Sequence, residues 1–294
     1  METQGRLAGL KAGPYMLAVC LLPTLTFAGR IVSLDPDVTE ILFAIGAGPQ
    51  VVGVTDACTF PEAARQKTKV GPPHQPAFEK IRNLQPTAVL LRVSGRSRIA
   101  GRLKALHIPV IMIKRHASLQ SLEDGIREVG AASGREEQAA ALAGELRVRI
   151  NAVRQAARRL RKHPRVYIET LSSPPWSAGP GSSVHIAVTE AGGRNILSDQ
   201  ARADAPVQES VLLGRNPDII VSLAAPETSL ASRPGWEDLA AVRNGWVVDD
   251  IPAGLLTHAT PRLVDGMEKL STQFMIWSAS SSAAAAAAGG VRPR

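Results

Sequence analysis

The side chains able to do chemistry are few and scattered. His74, His116, His185 and His258 could in principle share a metal. None is paired with another donor at ligand spacing, so a built metal site is not expected. Cys58 reads as a small buried hydrophobe rather than a nucleophile. No elbow motif accompanies any grouping of Ser, His and Asp. Gly46-Ala-Gly48 follows an apolar helical pattern instead of bridging a strand and a helix, and its third glycine is missing, so a dinucleotide fingerprint is discounted. What remains is recognition chemistry. Trp176 stands in a stretch from Ser172 to Ser183 that is rich in Ser, Pro and Gly. Such loops carry function on rigid scaffolds, so Trp176 either contacts a ligand or covers the edge of the core. Trp236, Trp246 and Trp277 lie in apolar periodic contexts and read as core. Glu79 and Glu209 each open a short helix that a proline closes, Pro86 and Pro217, and an apolar strand follows each. One first-turn glutamate would only stabilise its helix. Two in equivalent places suggest a paired surface.

The elements that position these groups are legible from periodicity. Arg30 to Leu34 reads as a strand. Asp35 can cap the helix after it, Pro36 suits the first helical position and Asp37 the first turn. Strand and helix patterns then alternate through Val51–Val54, Ala88–Leu91 and Val110–Ile113, which argues a parallel α/β unit. From Gly134 to Lys162 runs one long helical pattern rich in Ala, Leu, Arg, Glu and Gln. Ser133 can cap it and Pro164 stops it. Leu142, Leu146, Ile150, Val153 and Leu160 give it an apolar stripe. From Arg135 to Arg161 it rises about 40 Å. It is either a strut between two lobes or a long helix packed on a single sheet. After it the pattern restarts with strands at Val166–Leu171, Ile219–Val221 and Gly245–Val248, and a last helix carried by Leu263, Met267, Leu270, Phe274 and Trp277. The expected divisions are a leader at 1–28, an N-terminal lobe at 29–133, the connecting helix at 134–163, a C-terminal lobe at 164–277 and a disordered Ser/Ala/Gly tail at 278–294.

The 294-residue chain carries a formal net charge of +8. No basic stripe is interleaved with aromatics, so nucleic acid is not an expected partner. Arg6 and Lys11 precede a short apolar run broken by Pro23, and Thr26 and Ala28 form a small-residue cleavage site. This reads as a cleavable secretory signal rather than a membrane span. Val19 before Cys20 disfavours a lipoprotein anchor there. Once the leader is removed Cys58 is the one remaining cysteine, so no intrachain disulfide forms.

Several stretches together resemble the helical-backbone class of periplasmic substrate-binding proteins, the vitamin B12 and ferric-siderophore family serving ABC importers. They are Arg30-Ile-Val-Ser-Leu, Thr39 to Gly48, Val51-Val-Gly-Val-Thr-Asp, Phe60-Pro-Glu, Glu79-Lys-Ile with Pro86, Ala178-Gly-Pro-Gly, Glu190 to Asn195 and Asn216-Pro-Asp-Ile-Ile. They span Arg30 to Trp277. Val54 to Pro61 is most similar to the cobalamin branch. The chain departs from that branch at Ala57, near Pro73 and across Ala203 to Pro206, where aromatics are usual, so its cleft is poorer in aromatic rings. The resemblance implies two Rossmann-like α/β lobes joined by the long helix, with ligand held between them by Asp35, Pro36, Ala57, Pro73, His74, Trp176 and His258. It implies a corrinoid ligand, with a ferric siderophore or haem as the alternative. It also implies a monomer without cofactor, delivered to the periplasm, that docks on a dimeric permease through Glu79 and Glu209. Competing classes are a two-lobed α/β enzyme, for which no convergent acid–base groups are evident, and a ligand-binding sensor domain.

Overall fold

A computed structural model describes residues 29–92, 97–114, 118–224 and 230–289. Residues 1–28, read above as a leader with Cys20 in it, lie outside the described residues, as do His116 and the last five residues.

The first sheet is parallel throughout. Its strands are β1 (Ile31–Ser33), β2 (Val51–Val54), β3 (Thr68–Lys69), β4 (Ala88–Arg92) and β5 (Val110–Ile113), in the order β3-β2-β1-β4-β5. Between them run α1 (Pro36–Ala44), α2 (Glu62–Arg65), α3 (Phe78–Asn83) and α4 (Ser97–Ala105). Strands buried on both faces explain the near-continuous apolar runs. Ala88 and Leu90 face one apolar cluster, and Val89 and Leu91 face another on the opposite side, with the two-residue period of a strand. Asp35 caps α1 as read: its Oδ1 accepts from the Asp37 amide at 3.0 Å, and Pro36 takes the first helical position.

α5 (Leu119–Ser133) leads into α6 (Glu136–Arg158), the long helix. It joins two lobes; it does not lie on a single sheet. It is shorter than the sequence pattern suggested at both ends. Ser133 does not cap it. It closes α5, and its hydroxyl donates to the Val129 carbonyl at 2.8 Å. Gly134 adopts φ 63° to end α5, a left-handed conformation that glycine enters at little cost. At the far end the helix stops at Arg158, ahead of Pro164. Its 23 residues span about 34 Å. Ala139, Ala143, Leu146, Ile150, Val153 and Ala157 are buried along one stripe. All of these but Ala157 belong to one apolar cluster that also contains Ile31, Leu90, Val166 and Ile219, from both sheets. Arginines fix the other faces. Arg147 pairs with Glu123 of α5 at 2.5 Å, and Arg154 pairs with Glu190 at 2.6 Å.

The second lobe is built on β6 (Arg165–Ser172), β7 (Pro175–Ala178), β8 (Arg194–Asn195), β9 (Asp204–Pro206), β10 (Ile219–Ser222) and β11 (Val247–Val248). Its sheet runs β11-β10-β6-β7-β9, with β8 beside the start of β6. β10, β11 and β8 are parallel to their neighbours, while β7 pairs antiparallel with both β6 and β9. The Ser/Pro-rich stretch read as a loop thus contains a strand, and Trp176 sits in it opposite Pro206. α7 (Ser183–Glu190), α8 (Glu209–Arg215), α9 (Ala240–Arg243), α10 (Ala253–Leu256) and α11 (Leu263–Gly289) complete the lobe. α11 overturns one reading. It begins at Leu263, and the buried Thr260 hydroxyl makes no capping bond. It also continues past Trp277 through the stretch expected to be disordered, as far as Gly289. The reason is local: alanine has the best intrinsic helix propensity. In addition, the Ser280, Ser281 and Ser282 hydroxyls donate to carbonyls four residues back, at Ile276, Trp277 and Ser278.

Candidate functional site

The carboxyl ends of β4 and β6 and the starts of α1 and α7 converge on a cleft of about 490 Å³. It lies where the two lobes face each other. In open α/β sheets this is where loops leave the strand ends and ligands bind. One wall is Asp35, Asp37 and Arg92; the other includes Thr170, Ala178, Ser182, Ser183 and Asp204, with Thr257 and Ala259 between.

Each group is placed by its element. Arg92 ends a strand that is otherwise apolar, so its guanidinium leaves the sheet at the cleft. It pairs with Asp35 at 3.2 Å and, in a shorter contact, with Asp37. Burial works against its charge, but Asp37 and Asp35 outweigh that and hold the guanidinium ionised. Asp37 is 2% exposed. Burial alone would push its carboxyl up. The hydrogen bond to His258 and the charge of Arg92 reverse this and hold it below the usual carboxylate value. His258 lies on the other lobe, and its Nδ1 meets Asp37 Oδ1 at 2.7 Å. That bond first, and the negative charges of Asp37 and Glu40 with it, raise the imidazole above its ordinary value despite burial. The Ala259 amide donates to the second Asp37 oxygen at 3.2 Å. Nearby, Arg262 grips Glu40 through two bonds of 2.8 and 2.6 Å and lies over the Phe60 ring. On the far wall Ser182 caps α7 by accepting from the His185 amide at 3.1 Å, and Ser183 donates to the Leu256 carbonyl at 2.7 Å. The Thr170 hydroxyl donates to Asp204 at 3.0 Å.

The residues singled out from sequence fall into three groups. Asp35 lines the cleft. Pro36, Ala57 and His258 meet in an adjoining depression of about 220 Å³, with Thr59, Phe60, Arg65 and Arg262. Pro73, His74 and Trp176 line neither space. Trp176 is half-buried and stands two residues before Ala178 on β7, so both side chains leave the same strand face. Glu79 and Glu209 are exposed in the first turns of α3 and α8. Glu79 also pairs with Arg82 at 2.5 Å. Sequence reading missed Asp37, Arg92, Thr170, Ser182, Ser183 and Asp204 as cleft groups. Arg92 left a signal, a lone cation closing an apolar strand. The others look like ordinary caps and turn residues. Among the described residues no cluster of three His, Cys, Asp or Glu side chains could hold a metal.

Two α/β lobes on a backbone helix, with a polar cleft between them, define a solute-binding protein of the ABC-importer type. Residues 31–252 match the family of periplasmic binding proteins, and the chain belongs to it. It is 29% identical over 249 residues to the uncharacterized ABC transporter substrate-binding lipoprotein YvrC of Bacillus subtilis, covering 82% of this chain and 78% of that one. It is 27% identical over 256 residues to a cobalamin-binding protein of Halobacterium salinarum, covering 83% and 69%. Among solved structures, the periplasmic heme-binding protein RhuT of Roseiflexus in apo form superposes with a TM-score of 0.74 at 28% identity, covering 85% and 99%. No helix among the described residues is long and apolar enough to cross a membrane.

Proposed function

We propose that this protein captures cobalamin or a related corrinoid in the cleft between its lobes and delivers it to an ABC permease. The observation that carries the ligand class is the cleft's charge. Among the described residues, Asp35, Asp37 and Asp204 face it, with Arg92 as the one guanidinium and hydroxyls from Thr170, Ser182, Ser183 and Thr257. A corrinoid presents neutral amide arms that both donate to carboxylates and accept from hydroxyls. Haem propionates and anionic ferric chelates would meet like charge there. None of the cleft's described lining residues is a His, Tyr, Met or Cys able to ligate a haem iron. A corrinoid is larger than the recess and would extend along β7 to Trp176, which would stack on its flat face. Asp35, Pro36, Ala57 and His258 would meet it from the first wall and the adjoining depression, and Pro73 and His74 only at its outer edge. Glu79 and Glu209 would each face one subunit of a two-fold permease.

The haem reading keeps one point in its favour besides the likeness to RhuT. His258 borders the cleft with its Nδ1 taken by Asp37, which leaves Nε2 as the ring's other nitrogen for an iron. The test is retention. The protein lacking its leader is mixed separately with cyanocobalamin, haem and ferric siderophores, then desalted, and its visible spectrum is read. The corrinoid bands are expected to stay with the protein. A retained haem band with no retained corrinoid would replace the first reading with the second.

A further inference from the structure

The end of the second lobe opposite the cleft carries a basic face that recognition of a small ligand does not use. β6 begins there at Arg165 and reaches the cleft at Thr170, roughly 17 Å away at the rise of an extended strand. Arg161, Lys162, His163, Arg165 and Arg194 line a broad shallow depression of about 880 Å³, with Asp218 as the one acid among its described lining residues. Asp218 is already engaged by Arg165. Arg159, Arg161, Lys162 and Arg194 are exposed and have no acidic partner within ion-pair distance among the described residues. The same end also exposes apolar groups on α11. Met275 is 43% exposed and lines a second depression beside Arg159 and Arg161. Ile276 is 50% exposed and lies one turn before Ser280, which lines the basic depression. Trp246 is half-buried at its floor.

We propose that this face binds the surface of an anionic phospholipid bilayer. Unpaired guanidinium and ammonium groups match lipid phosphates. The adjacent Met, Ile and Trp side chains suit the interface between headgroups and acyl chains, where one end of a contact is wet and the other apolar. A small polyanion would use the cations but leave Met275 and Ile276 in water. The face is also remote from Glu209. α8 begins at Glu209 and ends where Arg165 donates to the Arg215 and Asn216 carbonyls, at 2.9 and 2.6 Å. A molecule lying on a bilayer by this end therefore points its cleft and Glu209 away from that bilayer, open to ligand.

The test is co-sedimentation of the leaderless chain with vesicles of phosphatidylcholine, with and without phosphatidylglycerol, at low and high salt. Binding is expected to the anionic vesicles alone and to fall with salt. Each cation near such a surface contributes roughly fivefold to partition, so Arg161→Glu/Lys162→Glu/Arg194→Glu should lose at least about a hundredfold. Met275→Ser/Ile276→Ser should lose about tenfold with charge unchanged. A control with equal change in net charge, Arg98→Glu/Lys104→Glu/Arg127→Glu on the first lobe, should bind nearly as wild type. Equal loss in the control would reduce the effect to net charge and overturn the proposal. So would absence of vesicle binding, and if the wild type were then held by a polyglutamate matrix, the partner would be an acidic protein instead.

Discussion

Asp37 is a first-turn residue of α1 that the lobes share. Arg92 reaches it from the first lobe, and His258 and the Ala259 amide reach it from the second. Removing one partner of a buried charge pair leaves the other uncompensated. Asp37→Ala is therefore expected to destabilise the protein by about 3 kcal/mol, the lower end for such pairs because Asp35 still faces Arg92. Urea unfolding measures this, and a change within error of zero would mean the lobes do not lean on Asp37. The pH dependence follows from the two shifts. His258 is raised by its bond to Asp37, so its contribution is fully present below the ordinary histidine value of 6.5 and is lost as pH rises through the higher folded value. Asp37 is lowered, so its contribution is present above the ordinary value of 3.8 and is lost as pH falls through the lower folded value. Melting temperature should therefore decline from just below neutrality into the alkaline range. His258→Asn should flatten that decline and cost about 1 kcal/mol in acid, since the ring is 38% exposed. An unchanged slope in the variant would assign the decline to other groups.

At the scale of elements, α6 holds the account together. Leu146 and Ile150 sit mid-helix, 2% exposed each, in the apolar cluster common to both sheets. Leu146→Ala should cost about 2–5 kcal/mol, the range for a large core side chain cut to alanine. Gly130 lets α5 approach α6 closely: a Cβ there would run into Ala139 and press on the Arg135 carbonyl. Gly130→Val should therefore destabilise more than a valine placed on the exposed face of the same helix, by thermal melts of both. These helices were legible because their causes are local. Asp35 and Pro36 cap α1 by neighbour chemistry, and α6 shows its stripe at helical spacing. β7 was not legible, because Pro174 and Pro175 look like turn residues and its pairing with β9 is set by residues some thirty positions on. The cleft was the least legible. Asp37 meets Arg92 across 55 positions and His258 across 221, and no local pattern announces such a meeting. The reading of Ser278 to Gly289 as loose tail weighed low complexity over the helix propensity of alanine.

For the whole molecule, one helix and two inter-lobe clamps resist wide opening. Arg149 also ties α6 to Asp265 and Glu268 of α11, at 2.5 and 2.7 Å. Ligand should therefore change the radius of gyration little, unlike a hinge of extended linkers, and small-angle scattering with and without ligand reads that directly. A large drop on binding would count heavily against the strut. Docking is a separate matter of charge on the outer surface. Glu79→Arg with Glu209→Arg should abolish stimulation of a permease ATPase while leaving ligand affinity in solution unchanged, because neither residue lines the cleft. Loss of ligand instead would move those residues into the site. The account's central claim, a corrinoid held between the lobes, is met most directly by one equilibrium titration. Cyanocobalamin is added to the wild type and to Thr170→Trp, which fills the cleft from a half-buried position on its wall. Saturable binding of one ligand per chain is expected for the wild type, weakened at least about tenfold in the variant by the loss of packing and space. Equal affinity in the two, with the variant folded, would place the ligand elsewhere and contradict the claim.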